Sequence, residues 1–158
     1  MRPAGWRLPV TAGPDEVRME VVGVFEQAVR LPDREERVPL LLLRDPRNRE
    51  LRLPISSCEG LAIHVALQQQ VVARPLTHDL ALRLLDRLSS GLSRVVIYEV
   101  AGEEGACRAR LHLVTGEGEL LVEAQPGDAV ALAVRAEAPV YVTEALLAHA
   151  GHFGGDTV

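Results

Sequence analysis

The chain has 158 residues, a formal net charge of −5 and 47% apolar residues, which suits one domain with a sizeable core. Only 3% of residues are aromatic, so the core must be aliphatic and few rings are on hand to stack on unpaired bases. All 17 basic residues are Arg, which excludes Schiff-base chemistry, a phosphate-loop lysine and a Ser-Lys dyad. The negative balance argues against broad electrostatic binding of nucleic acid, though it leaves room for a local basic groove. Cys58 and Cys107 lie far apart with no CxxC spacing. That pattern points away from zinc and disulfides and towards a reducing cytoplasm. No run of about 18 apolar residues is present, so no membrane span is expected. The first residues also lack the basic-then-apolar order of a signal peptide.

In chain order, residues 1–17 read as a flexible N-terminal arm with three prolines and Trp6. A single domain is expected over 18–150, with a frayed tail over 151–158. Arg18 to Glu26 is a strand by composition, and Leu31 to Arg37 a loop. Leu40–Leu43 is an apolar run suited to a strand buried on both faces. Asp45-Pro46-Arg47-Asn48 is a turn, and Glu50 to Ile55 a third strand. Ser56 and Ser57 offer caps for a largely buried helix reaching about Gln70, with His64 inside it. Thr77 caps a second helix over 77–89, its leucines 80, 84, 85 and 88 forming one stripe and Gly91 ending it. Val95–Tyr98 is a strand. Cys107–Val114 alternates apolar residues with Arg108, Arg110 and His112. Gly116-Glu117-Gly118 turns the chain into a partner strand, Glu119–Ala124. Pro126 opens a third helix to about Arg135, Pro139–Val142 is a short strand, and Glu144–Ala150 a last helical turn or two.

An offset of 69 residues aligns Glu50 with Glu119 without a gap. Leu51 then meets Leu120, Leu53 meets Val122, Glu59 meets Asp128, Ala62 meets Ala131 and Val65 meets Val134. The expected fold class is therefore α+β, in duplicated strand-strand-strand-helix halves of about 18–70 and 91–138. Mainly antiparallel sheets pack against the helices, and the helix over 77–89 links the halves.

The residues able to carry chemistry each have a plain structural reading. Glu59 and Asp128 sit in helix first turns, where an acid complements the dipole or helps hold a divalent cation. Asp79 has Arg83 four residues on as an ion-pair partner. His78 is a general base, a ligand or a surface residue beside a cap. The stripe Arg108, Arg110, His112 either contacts phosphates or forms the solvated face of a sheet.

Three stretches carry a family likeness. They are Leu53-Pro54-Ile55 with Glu59, then Arg74-Pro75-Leu76-Thr77-His78-Asp79-Leu80, then Pro126 to Arg135 followed by Pro139-Val140-Tyr141-Val142. Together they resemble the bifunctional nuclease domain family of bacteria and plants, over about residues 18–151. The resemblance implies an α+β fold, self-association, and hydrolysis of phosphodiester bonds in RNA and DNA. On its terms His78 and Asp79 are the catalytic candidates. Glu59 and Asp128 are the metal-binding candidates for Mg²⁺, Mn²⁺ or Ca²⁺, and Arg74, Arg108 and Arg110 the substrate contacts. The family commonly has Arg and Ser before the third-helix Asp, where this chain has Gln125 and Gly127. It commonly has Gly and Ala where this chain has Ser56 and Gly60. The lost Arg and hydroxyl open a second expectation, a catalytically silent module acting through its oligomer surface. Glu59, His78, Asp79 and Asp128 gathered on one polar cleft would favour the enzyme. The same side chains spent as caps and ion pairs would favour the module.

Overall fold

The computed structural model describes residues 12–103 and 105–153. Trp6 and most of the expected arm lie outside them, as do residues 154–158 of the expected tail. The first strand, β1 (Glu16–Arg30), starts inside the stretch read as an arm and runs past Glu26. It hairpins into β2 (Glu35–Arg44), so the expected loop over 31–37 shrinks to a tight turn closed by Leu31 N–H on Arg34 O at 2.8 Å. Beyond Phe25 the hairpin stands clear of the body, with Phe25 53% exposed. Arg37 reaches Glu26 across it at 3.2 Å. After β3 (Glu50–Pro54) come α1 (Ser57–Leu67), α2 (Thr77–Arg87), β4 (Gly91–Glu99), β5 (Cys107–Thr115) and β6 (Gly118–Ala124). The chain continues through α3 (Pro126–Ala136), β7 (Val140–Thr143) and α4 (Glu144–Phe153).

The order strand-strand-strand-helix occurs twice, as β1–β3 with α1 and as β4–β6 with α3. The two antiparallel meanders do not form separate sheets. They join in one seven-stranded sheet, β3-β2-β1-β7-β4-β5-β6, with β7 between them. β7 runs antiparallel to β1 and parallel to β4, the one parallel pair in the sheet as described. Its central place explains its composition, since Val140, Tyr141 and Val142 are all buried. Glu16–Met19 of β1 pair with β7 and Glu20 onward with β2, and a bulge between Val21 and Gly23 shifts the β2 register.

The core is aliphatic. Leu41, Leu43, Leu51 and Leu53 of the first meander meet Ile63 of α1, and Val95, Ile97 and Leu111 of the second meet Val130 and Leu132 of α3. Burying each such side chain contributes about 1.5–3 kcal/mol. α3 is built from Ala and Val with Gly127 in its first turn, and its small side chains let α1 and the sheet approach closely. Asp45, 3% exposed, accepts the backbone N–H groups of Arg47 and Arg49 and the Arg49 side chain at 2.7 Å. Arg49 continues to Glu144 at 2.5 Å, tying the β2–β3 turn to α4.

Two helices differ from their sequence patterns. In α2 the expected leucine stripe is split: Leu80, Leu84 and Leu88 are 51%, 55% and 74% exposed, while Leu85 packs on the core with Ala81 and Leu82. Ser89, at φ 54, takes the left-handed position after α2, and Gly91 instead opens β4. In α1, Ala62 and Ile63 are buried as expected, but Leu61 and His64 are exposed. Among the described residues no helix is long and apolar enough to cross a membrane.

Candidate functional site

The first turns of α1, α2 and α3 meet. Ser56 caps α1: its hydroxyl accepts from Glu59 N–H at 3.2 Å, and Glu59 Oε2 accepts from Ser56 N–H at 2.6 Å, a reciprocal capping box. The same Glu59 carboxyl lies against α3. A Cβ added to Gly127 would stand 2.6 Å from Glu59 Cδ and 2.8 Å from Oε1, so only glycine leaves it room. One residue on, Asp128 Oδ1 is 2.8 Å from Nε2 of His78, in the first turn of α2. Three positive helix ends thus converge, each with an acid in its first turn: Glu59, Asp79 and Asp128.

The α2 cap differs from the sequence reading. Thr77 is the first helical residue rather than the cap, and the capping position is Leu76. The Asp79 carboxylate supplies the bond by accepting Leu76 N–H at 2.8 Å. Its other oxygen accepts from Arg135 Nε at 2.9 Å, so the hydrogen-bonded partner comes from the last turn of α3 rather than from Arg83. Burial pulls the Asp79 pKa up, but the Leu76 N–H, the Arg135 bond and the charges of Arg135 and Arg83 outweigh it and hold the carboxyl below its ordinary 3.8. Arg135 is 8% exposed on its side chain and also donates to Ala131 O at 3.0 Å.

The structure therefore gathers Glu59, His78 and Asp128, with Asp79 adjoining but bound into a cap and an ion pair. A cleft of about 450 Å³ opens beside Asp79, the one of these four residues that lines it, walled by Val65 of α1, Gln69 just beyond α1, Leu82 and Arg83 of α2, and Arg135. Arg74 is exposed, between the cleft-lining residues Ala73 and Pro75. Arg108 and Arg110 are elsewhere, on the sheet face turned away from the core residues Ala109 and Leu111. Arg108 binds Glu123 at 2.9 Å, and Arg110 lies over the Tyr98 ring at 4.7 Å. His112, on the same face, is not solvated: it is 7% exposed and 2.5 Å from Glu119. A larger hollow of about 870 Å³ lies by the β4–β5 loop and α4, with His149 Nδ1 2.5 Å from Glu99, but none of the expected site residues lines it.

Sequence reasoning missed Arg135 and Gly127. A signal existed for Arg135. It lies seven residues after Asp128, two turns along one face of α3, just as His78 and Asp79 are neighbours on α2. One face of α3 therefore meets the start of α2 twice. Gly127 carried no such signal, because a close approach between helices is a tertiary fact.

The donors do not fit a resident divalent cation. Ca²⁺ takes about six to eight oxygen ligands, and Mg²⁺, which keeps several waters, still takes one or two carboxylates aimed at it. Glu59 Oε2 is committed to Ser56 N–H and Asp128 Oδ1 to His78. Among the described residues no group of three or more His, Cys, Asp and Glu side chains is placed to hold a metal. Among these side chains the His78 imidazole is the one that can both take and give a proton. An ionised carboxylate only accepts, so the Asp128 contact puts the proton of neutral His78 on Nε2 and leaves Nδ1 with the lone pair.

The family model of the bifunctional nuclease domain matches residues 40–154, a stretch containing all of these residues. Two Mycobacterium tuberculosis proteins are also similar, "Uncharacterized protein MT1877" of strain CDC 1551 / Oshkosh and "Uncharacterized protein Rv1829" of strain ATCC 25618 / H37Rv. Each is 42% identical over 115 residues, covering 72% of this chain and 66% of the relative. From α1 to α3, the elements that assemble the His78–Asp128 pair fall within the matched stretch, and the chain belongs to the bifunctional nuclease domain family.

Proposed function

We propose that this domain hydrolyses phosphodiester bonds in nucleic acid, RNA ahead of DNA, with His78 moving the proton and Asp128 orienting it. The observation that carries this reading is the His78–Asp128 pair at the meeting of three helix ends. Membership of a family described as the bifunctional nuclease domain supports phosphodiesters as the substrate class. The preference for RNA comes from the chemistry. Nδ1 of His78 takes the proton of a 2′-hydroxyl, the freed oxygen attacks phosphorus, and the P–O5′ bond breaks as the His78 imidazolium returns that proton to the leaving O5′; water then opens the resulting 2′,3′-cyclic phosphate, completing the hydrolysis. DNA has no such internal nucleophile. The imidazolium formed on the way is stabilised by Asp128, and general base help of this kind contributes about 10²–10⁴-fold. Arg83 on the cleft wall and Arg74 beside it offset the three first-turn acids and meet the phosphates.

The test is cleavage of single-stranded RNA and matching DNA, in chelator and in added Mg²⁺, Mn²⁺ or Ca²⁺. RNA cleavage is expected in chelator, with a loss of about a hundredfold or more in His78→Ala. Asp128→Asn is expected to keep binding and lose rate. Cleavage at the wild-type rate in both variants would place the activity elsewhere. An inactive wild-type protein would favour a second reading, a non-catalytic binding module working as an oligomer. That reading has its own support: Glu59 and Asp79 are both spent on helix caps, and Asp79 also on Arg135.

A further inference from the structure

The cleft beside Asp79 has room for a small molecule. Its volume of about 450 Å³ lies within the roughly 300–1,000 Å³ of such sites. His78 and Asp128 do not line it. It opens farther along α3, at Arg135, which is about 10 Å of helix from Asp128. The Arg135 side chain is only 8% exposed. Its Nε donates to Asp79 and its Nη1 to Ala131 O, while Nη2 makes no hydrogen bond among the described residues. A guanidinium holds its N–H donors in one rigid plane, so those two bonds fix the direction of the donors left over. Arg83, from α2, also lines the cleft and makes no hydrogen bond among the described residues. Two arginines against the one Asp79 carboxylate leave the cleft with a net positive charge, which selects an anion.

The rest of the lining is of another kind. Val72, Pro75 and Leu82 are apolar, and Gln69 adds an amide that can donate and accept. Gln69 stands at φ 51, the left-handed position after α1, with its N–H on Ala66 O at 3.2 Å. Glycine is the usual residue there. We propose that the cleft binds one nucleotide of a single-stranded RNA, its phosphate on Arg135 and Arg83, its base against the apolar wall and the Gln69 amide on the base edge. Unpaired bases present both a face and an edge to such a site. A strand reaching both points lays its scissile bond on His78 while the cleft grips a neighbouring nucleotide, and a grip of this kind orients the reacting group. The choice of RNA rests on the nuclease reading; the anion site and the base pocket do not.

Calorimetric titration of the His78→Ala protein, which lacks the cleaving imidazole, tests this without turnover. The probes are a single-stranded RNA trinucleotide, a 5′-nucleoside monophosphate, ribose 5-phosphate and inorganic phosphate. The trinucleotide is expected to bind more tightly than the monophosphate, and the monophosphate at least tenfold more tightly than ribose 5-phosphate or phosphate. Arg83→Ala should weaken every probe at least tenfold, whereas Arg87→Ala, also on α2 but outside the cleft, should not. Gln69→Gly should weaken the monophosphate but not ribose 5-phosphate. Glu137→Gly, the same change at the left-handed position after α3, should weaken neither. No binding of any probe would overturn the proposal, as would equal losses in Arg83→Ala and Arg87→Ala. Equal binding of the monophosphate and ribose 5-phosphate would overturn the base pocket. A monophosphate that outbinds the trinucleotide would overturn RNA as the source in favour of a free nucleotide. Wild-type protein that shows the expected binding and no cleavage would count against the nuclease reading alone.

Discussion

Gly127→Ala measures how rigidly the site is built. The added methyl would stand 2.6 Å from Glu59 Cδ, 2.8 Å from Oε1 and 2.9 Å from Cβ. Ordinary carbon contacts fall at about 3.5–4.0 Å. The carboxyl end can swing aside, but Cβ cannot move without shifting the α1 backbone. Overpacking of this kind costs about 1–3 kcal/mol. Swinging the carboxyl away also breaks the Ser56 N–H bond, worth about 1 kcal/mol as a cap. Against this, Ala is the better helix former by about 1 kcal/mol in a helix interior, and less in a first turn. The losses outweigh the gain, and the expected net destabilisation is about 1–3 kcal/mol. In urea unfolding followed by circular dichroism the midpoint should fall with an unchanged slope. The melting temperature should fall by about 3–10 °C for a chain of this size. Glu59→Ala in the same background removes the closest clashing atoms, so the double variant should be less than additive by about 1 kcal/mol. A Gly127→Ala protein as stable as the wild type would refute the reasoning, because Glu59 would then be free to leave the helix junction.

Further outcomes follow from other parts of the structure. At Asp45, burial pulls the pKa up, but the hydrogen bonds from Arg49 and Arg47 and the Arg49 charge outweigh it and set it below 3.8. Its stabilising contribution is therefore present above the ordinary carboxyl range and lost as pH falls through the lowered folded value. Asp45→Asn should cost about 2–4 kcal/mol at neutral pH, and stability curves against pH should show a shallower acid slope than the wild type. Leu84→Glu and Leu88→Glu should change stability by no more than about 0.5 kcal/mol in the same urea assay, because both side chains face solvent. A loss of several kcal/mol would return the α2 stripe to the core. Cys58 is exposed, while burial, helped by the charge of Glu99, pushes the Cys107 thiol up from 9.0. A thiol reagent should therefore titrate one fast and one slow cysteine, and Cys58→Ser should remove the fast phase.

The candidate site was legible where chemistry is local. Ser56 followed three residues later by Glu59 is a capping box on paper and in space, and Pro126 before Asp128 marks the start of α3. The identity of each partner was not legible. Arg83 is the nearest cation to Asp79 in sequence, yet Arg135, 56 residues away, makes the hydrogen bond, because α3 lies against the start of α2. Arg108 and Arg110 looked free for phosphate only because Glu123 and Tyr98, which engage them, belong to other strands.

The sequence by itself determined the α+β class, the order of the elements, most turns and the aliphatic core. Apolar period, cap residues and turn residues act within a few positions of one another. Only the tertiary structure decided that β7 joins the two meanders into one sheet, that Leu80, Leu84 and Leu88 of α2 face outward, and that His78 meets Asp128. Those outcomes rest on pairings between distant segments. A four-residue apolar strand carries no label for its neighbours, and an amphipathic helix does not state which body its apolar side will face. The convergence of α1, α2 and α3 required Gly127 at the one place where Glu59 approaches too closely for a side chain.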